Sequence, residues 1–243
     1  MEERNGVMHN SDEEEKKRLV YMRGNVENQD PTCKYTDDLT LRRFLRARDL
    51  DVEKASAMFM KYFKWRRTFV PKGSISTSEV TNQLAVKKVC MQGTDKRGCP
   101  VSVLFAARHF PCKGGTDELK CFIVYVLDKL CSRIPDGQEQ VTIIADLRGY
   151  GYSNSDIRGY LAVFTILQDY YPERLGKMFV IHVPYVFMTL WKIIYPLIDE
   201  NTRTKIIFVE NKKLQATLLE EIDESQLPEI YGGKLQLVPI QDA

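Results

Sequence analysis

The residues best equipped for chemistry are few and scattered. The chain has three histidines, His9, His109 and His182, and six cysteines, Cys33, Cys90, Cys99, Cys112, Cys121 and Cys131. No C-x-x-C pair occurs and no neighbouring histidine completes a zinc-site pattern, so no metal site is expected and the thiols read as free and buried. A histidine-centred mechanism needs a partner that orients the imidazole, and none has a recognisable partner nearby in sequence. His182 closes the apolar run MFVIHVP, where an imidazole bonded to nearby backbone is the expected role. The turn RGYGYSNS follows the strand-like run VTIIADL and carries a Gly-x-Gly of the kind that approaches a nucleotide phosphate. Its third glycine is missing and Tyr150 and Tyr152 crowd it, so it reads as an ordinary glycine turn. P-loop, G-x-S-x-G and H-E-x-x-H patterns are absent from the sequence. The expectation is a chain that is not an enzyme and needs no cofactor.

Charge narrows the partners. Lys plus Arg number 35 against 33 Asp plus Glu, a net charge of +2, which gives no footprint for nucleic acid. The first residues, MEERNGVMHNSDEEEKKR, are polar and acidic, and no run of about eighteen apolar residues occurs. A cytoplasmic protein is expected, acting on membranes only from their surface.

At 243 residues and 44% hydrophobic content, the chain can bury a large core as one functional unit of two lobes. Residues 1–10 are expected to be disordered, and Ser11 with Glu14 makes a capping box for a helix through Val20 and Met22. In TDDLTLRRFLRARDL, Leu41, Phe44, Leu45 and Arg48 share one helical stripe. Arg42, Arg43 and Arg46 lie on its other sides; with Lys61, Lys64, Arg66 and Arg67 they form either a solvated face or an attraction for anionic membranes. Asp51 offers an N-cap to a helix with Val52, Ala55, Phe59, Tyr62, Phe63 and Arg66 on one stripe, ending before Pro71 and Gly73. The helical lobe thus covers residues 11–85.

After a capping-box helix at Ser76 to Glu79 the pattern changes. LAVKKVCM and CPVSVLFA read as strands joined by the turn GTDKRG. Helices over 117–133, 155–170, 185–195 and near 213–221 then alternate with strands over 140–146, 177–183 and 204–209. Such alternation calls for a mixed, largely parallel sheet with crossover helices, making residues 86–243 an α/β lobe.

One helix needs a special explanation. VFMTLWKIIYPLID carries Phe187, Leu190, Trp191, Ile194 and Ile198 on one face, while Met188, Ile193 and Leu197 populate the others. A helix apolar almost all round is either core or a lid over an apolar cavity whose outer face meets lipid. The lid is the favoured reading, with Pro196 ending the helix and DENTRT serving as a polar hinge.

Four stretches taken together, FLRARDLDVEKA, YYPERLGKMFVIHVP, FMTLWKIIYPLIDENTRTKIIFV and LPEIYGG, resemble the CRAL-TRIO lipid-binding family in its phosphatidylinositol-transfer branch. The resemblance runs from about residue 35 to 235 and implies a helical lobe followed by an α/β lobe with a gated apolar pocket for one phospholipid. It further implies that Glu173, Thr202 and Lys205 hold an inositol phosphate headgroup, with Arg48 a further basic position. By themselves, Glu173 and Lys205 would read as a loop carboxylate and an exposed lysine at a strand start. Arg48 is followed by Asp49 where relatives usually carry Lys. The hydroxyls with which relatives hold phosphatidylcholine are thinned to Ser153 and Ser102, which leaves a sterol or other apolar ligand open. The expected partners are a phospholipid and a transient membrane surface, with the chain a monomer. A lipid sensor that regulates or presents its ligand to a lipid kinase or another protein remains the alternative to transfer.

Overall fold

The fold is that of a computed structural model describing residues 2–111 and 116–243, with side chains from residue 12 onward. Residues 2–10, expected to be disordered, are described as helix, so Ser11 lies inside that helix rather than at its start; Cys112 falls outside the described residues.

The chain divides into two compact units. The first comprises Met1–Gly73 and Leu167–Glu173; the second comprises Ser74–Ile166 and Arg174–Ala243. Helices α1 (Glu2–Gln29), α2 (Asp38–Arg46) and α3 (Val52–Phe69) build the first unit. The Asp37 and Asp51 side chains accept from the amides of Thr40 and Lys54, so α2 and α3 start on capped ends. Leu41, Phe44, Leu45, Ala55 and Phe59 of the expected stripes are buried together with Leu19, Met22 and Val26 of α1. Trp65 stacks on Tyr170 at 3.8 Å, which ties Leu167–Glu173 into this unit.

Most of the basic residues offered for membrane attraction are engaged inside the first unit. Arg46 pairs with Glu15 at 2.9 Å, Lys61 with Asp169 at 2.7 Å and Arg67 with Asp30 at 2.7 Å. Arg43 is buried and donates to the Thr40 hydroxyl, and Arg66 donates to the Tyr171 hydroxyl. Partners close at hand offset these charges, so the basic stripe is largely structural.

The second unit holds α4 (Thr81–Ala85), α5 (Asp117–Cys131), α6 (Ile157–Tyr170, as far as Ile166), α7 (Tyr185–Ile194), α8 (Glu200–Thr204) and α9 (Leu214–Glu221). Its strands are β1 (Val89–Thr94), β2 (Pro100–Phe105), β3 (Val141–Asp146), β4 (Leu175–Ile181), β5 (Ile206–Phe208) and β6 (Val238–Pro239). They form one sheet in the order β5-β4-β3-β2-β1-β6. The β2–β3, β3–β4 and β4–β5 pairs are parallel, whereas β1 pairs antiparallel with β2 and β6. This is the mixed, largely parallel sheet that the alternation called for. The first strand begins later than expected, because Leu84 and Ala85 close α4 and Lys87 turns the chain at φ 47°.

Alternation along the strands gives the sheet two unlike faces. One is dry: Val101, Val103, Ile144, Phe179 and Ile181 are buried with Leu218 and Ile222 of the α9 segment. The other carries the candidate site. None of the described helices is long and apolar enough to cross a membrane.

Candidate functional site

On the second face, strand register aligns Met91, Ser102, Ile143, Met178 and Ile206 across five strands. Met91 and Ser102 are buried, yet Ile143, Met178 and Ile206 are only half-buried, although β3 and β4 are flanked by strands on both sides. Large aliphatic side chains in the middle of a sheet are normally sealed by the helices that cover it. Here Ile143, Met178 and Ile206 keep partial exposure, and Met178 and Ile206 pack beside residues of the helix that follows β4.

The helix over this face is α7. Leu190 is buried, and Val186, Phe187 and Ile194 pack with Tyr150, Met178, Val180 and Ile206. Phe187 meets the Tyr150 ring edge-on at 5.7 Å, and Trp191 meets Phe208 edge-on at 5.0 Å. Its outer side is left to solvent, with Tyr185 at 90% exposure, Ile193 at 42% and, in the 3-10 turn Tyr195–Leu197 that follows, Leu197 at 47%. The face expected to look inward therefore does so for Phe187, Leu190, Trp191 and Ile194, and Ile198 is buried beyond the turn. The apolar outer face is solvent-exposed, which sets α7 apart from a helix sealed in the core.

The expected polar hinge is a short helix. Asp199 caps α8 by accepting from the Thr202 amide at 2.8 Å, so a polar run that reads as loop winds into one turn. Thr202 and Lys205 sit on this turn, where the Lys205 amide donates to the Thr202 carbonyl at 3.1 Å. The Lys205 carbonyl in turn accepts from the Met178 amide at 2.8 Å, which fixes Lys205 against the aligned row. Ser102 points its hydroxyl at the Cys90 carbonyl, 3.0 Å away. Ser153 is exposed on the turn Tyr152–Asn154. Glu173 and Arg48 belong to the helical unit. Glu173 holds a left-handed backbone, φ 57°, in the turn before β4. Arg48 donates to its neighbour's carbonyl, Ala47 O, at 2.7 Å and lines an open cavity of about 710 Å³ with Arg18, Asp49, Asp51 and Lys54.

The residues first considered for catalysis have structural partners. Arg148 donates to Nε2 of His182, whose Nδ1–H donates to Asn211 at 3.0 Å, so side chains replace the expected backbone partners. In the glycine turn Tyr150 is buried and bonded to Ser155, while Asn154 donates to the carbonyls of Ala107 and His109. His109 accepts from the buried Lys88 ammonium through Nδ1 at 3.2 Å and donates from Nε2 to Asp156 at 3.1 Å. Burial, then the neighbouring Lys88 charge, lowers the His109 pKa against the pull of Asp156. Of the described cysteines, Cys33, Cys90 and Cys99 are buried free thiols and Cys121 and Cys131 are half-buried, which corrects the reading of all as buried.

What sequence reasoning missed is the aligned row and the part played by Phe208 and Tyr195. The sequence marked a strand over 204–209; only the register showed which residues line up.

The description "CRAL/TRIO domain" matches residues 84–233, and "CRAL/TRIO, N-terminal domain" matches residues 7–61. The Sec14 cytosolic factor of Schizosaccharomyces pombe is 33% identical over 224 residues, covering 82% of this chain and 76% of that protein. The SEC14 cytosolic factor of Candida glabrata is 30% identical over 250 residues, covering 96% and 82%. The phosphatidylinositol transfer protein CSR1 of Eremothecium gossypii is 30% identical over 213 residues, covering 83% of this chain; the chain spans about half, 48%, of that relative's length. The crystal structure of Sfh5 superposes with a TM-score of 0.70 at 19% identity, over 95% of this chain and 91% of that one, which supports the fold alone.

Proposed function

The chain belongs to the CRAL/TRIO domain family, and from that premise we propose that it carries one membrane phospholipid, phosphatidylinositol, and exchanges it at membrane surfaces through movement of α7. The observation that carries the reading is the half-buried aliphatic row Ile143, Met178 and Ile206 beneath a helix that is apolar inside and out. The printed names of the relatives, a phosphatidylinositol transfer protein and two Sec14 cytosolic factors, support the cargo class.

A diacyl lipid cannot leave a bilayer bare, because each methylene exposed to water costs about 0.8 kcal/mol. The aligned row and the inner face of α7 replace those contacts. Phe187 and Trp191 follow the lid as it swings, and exposed Tyr185, Ile193 and Leu197 enter the interface. The Lys205 ammonium is proposed for the lipid phosphate, and the Thr202 hydroxyl and Glu173 carboxylate for inositol hydroxyls that a choline headgroup lacks. Arg48, Ser153 and Ser102 are proposed as accessory polar contacts on the strength of the resemblance. The reading assigns no bond-making or bond-breaking step to the chain.

Native mass spectrometry with lipid extraction tests the proposal. Wild type is expected to carry phosphatidylinositol, and Lys205→Ala and Glu173→Ala to lose it selectively. A wild type holding only sterol would remove the headgroup assignment and keep the cavity. Cargo retained without exchange between vesicles would favour the sensor over the carrier.

A further inference from the structure

Arg203 lies on α8, between Thr202 and Lys205 in sequence. Its guanidinium carbon stands 4.4 Å from the centre of the Tyr195 ring. Nη2 donates to the Pro196 carbonyl at 3.4 Å. Both partners belong to the 3-10 turn that ends the lid. Tyr195 is 5.5 Å from Trp191, which packs on Phe208. One cation and three rings thus run in file from α8 through the lid to β5.

The hold is a weak one by construction. Nε of Arg203 is buried and has no hydrogen-bond partner among the described residues. A guanidinium forked onto a carboxylate makes two strong bonds; this one has a ring face and a single long bond. The buried N–H without an acceptor disfavours the closed arrangement and brings it nearer in free energy to an open one.

We propose that Arg203 is the latch of the lid: it keeps α7 closed by stacking on Tyr195 and holding Pro196, and the breaking of that contact limits the rate of opening. The inference rests on the lid reading above and adds the residue that regulates it. It also places the latch on the short turn that carries two of the residues proposed for the headgroup, so cargo and closure share one element.

The chain has two tryptophans, so a Trp65→Phe background leaves Trp191 as the sole reporter on the lid. Tyr195→Leu, Arg203→Lys and the double variant would be compared by acrylamide quenching of Trp191 and by transfer of fluorescent phosphatidylinositol between vesicles. Arg203→Lys keeps the charge and loses the planar stack, and Arg203 stacks on Tyr195 rather than on Trp191, so a rise in quenching reports lid opening. Each single variant is expected to raise quenching and to speed transfer by about two- to tenfold. The double variant is expected to do no more than the larger single one, because the two changes break the same contact. Unchanged quenching in Arg203→Lys, or effects that multiply in the double variant, would overturn the latch. Quenching that rises while transfer stays constant would support the latch and reject the lid as the gate for exchange.

Discussion

Asp95 shows how far one side chain can commit a turn. Its Oδ1 accepts the amides of Arg97 and Cys99, each at 2.9 Å, and Oδ2 accepts the Thr142 hydroxyl at 2.8 Å and the Arg97 guanidinium at 3.0 Å. Burial pushes this carboxylate's pKa up, yet the bonds from Thr142, Cys99 and Arg97 win and hold it below the usual range. Asp95→Ala leaves buried donors orphaned and is expected to cost about 2–4 kcal/mol in chemical denaturation. His109 behaves in the opposite chemical sense with the same pH sign. Its folded pKa lies below the ordinary 6.5, so the unfolded chain binds the proton more readily. The stability it contributes is full above that value and is lost as pH falls through the depressed one. His109→Gln should therefore flatten the fall in urea midpoint between about pH 7.5 and about pH 5, and an unchanged slope would assign that fall to other groups. GTDKRG was legible as a turn, but Asp95 reaching Thr142 was not. Side-chain bonds across that distance in sequence leave no local pattern.

At the scale of elements, α7 and the strands beneath it differ in how they are held. Among its described residues α7 buries Leu190 fully and the rest of its inner face in part, while Ile144, Phe179 and Ile181 of the dry face are sealed. Hydrogen exchange should accordingly be faster in α7 than in β3 and β4, and lipid loading should slow α7 selectively. Equal protection of the two would rank the helix with the core. Element types and order followed from local pattern: apolar runs between turn residues for β2 to β4, three-and-four spacing for α2, α3 and α7. The lapses came where a local cap or backbone turn prevailed over composition. Asp199 winds DENTRT into α8, and left-handed Lys87 delays β1. The candidate lid was readable from one helix; the aligned row beneath it was not, since it depends on which residues of five strands fall in register.

At the scale of the molecule, Arg46, Lys61 and Arg67 of the helical unit are paired with Glu15, Asp169 and Asp30. Binding to anionic liposomes should then depend only shallowly on salt, being driven by the apolar outer face of α7. A steep loss between low and physiological salt would return the role to charge. Cargo should stabilise the whole chain by mass action. Lipid at about a hundredfold its Kd adds about 2.7 kcal/mol, or roughly 5–10 °C in Tm, relative to delipidated protein.

The helical unit is discontinuous: it is completed by Leu167–Glu173, about 100 residues after Gly73. At a synthesis rate of about 5–20 residues per second, the nascent chain waits roughly 5–20 s for those residues. During that interval Trp65 lacks Tyr170 and Lys61 lacks Asp169. The unit that emerges first therefore cannot close until most of the second has been made, and its unpaired aromatic face is the stretch that a ribosome-bound chaperone would meet.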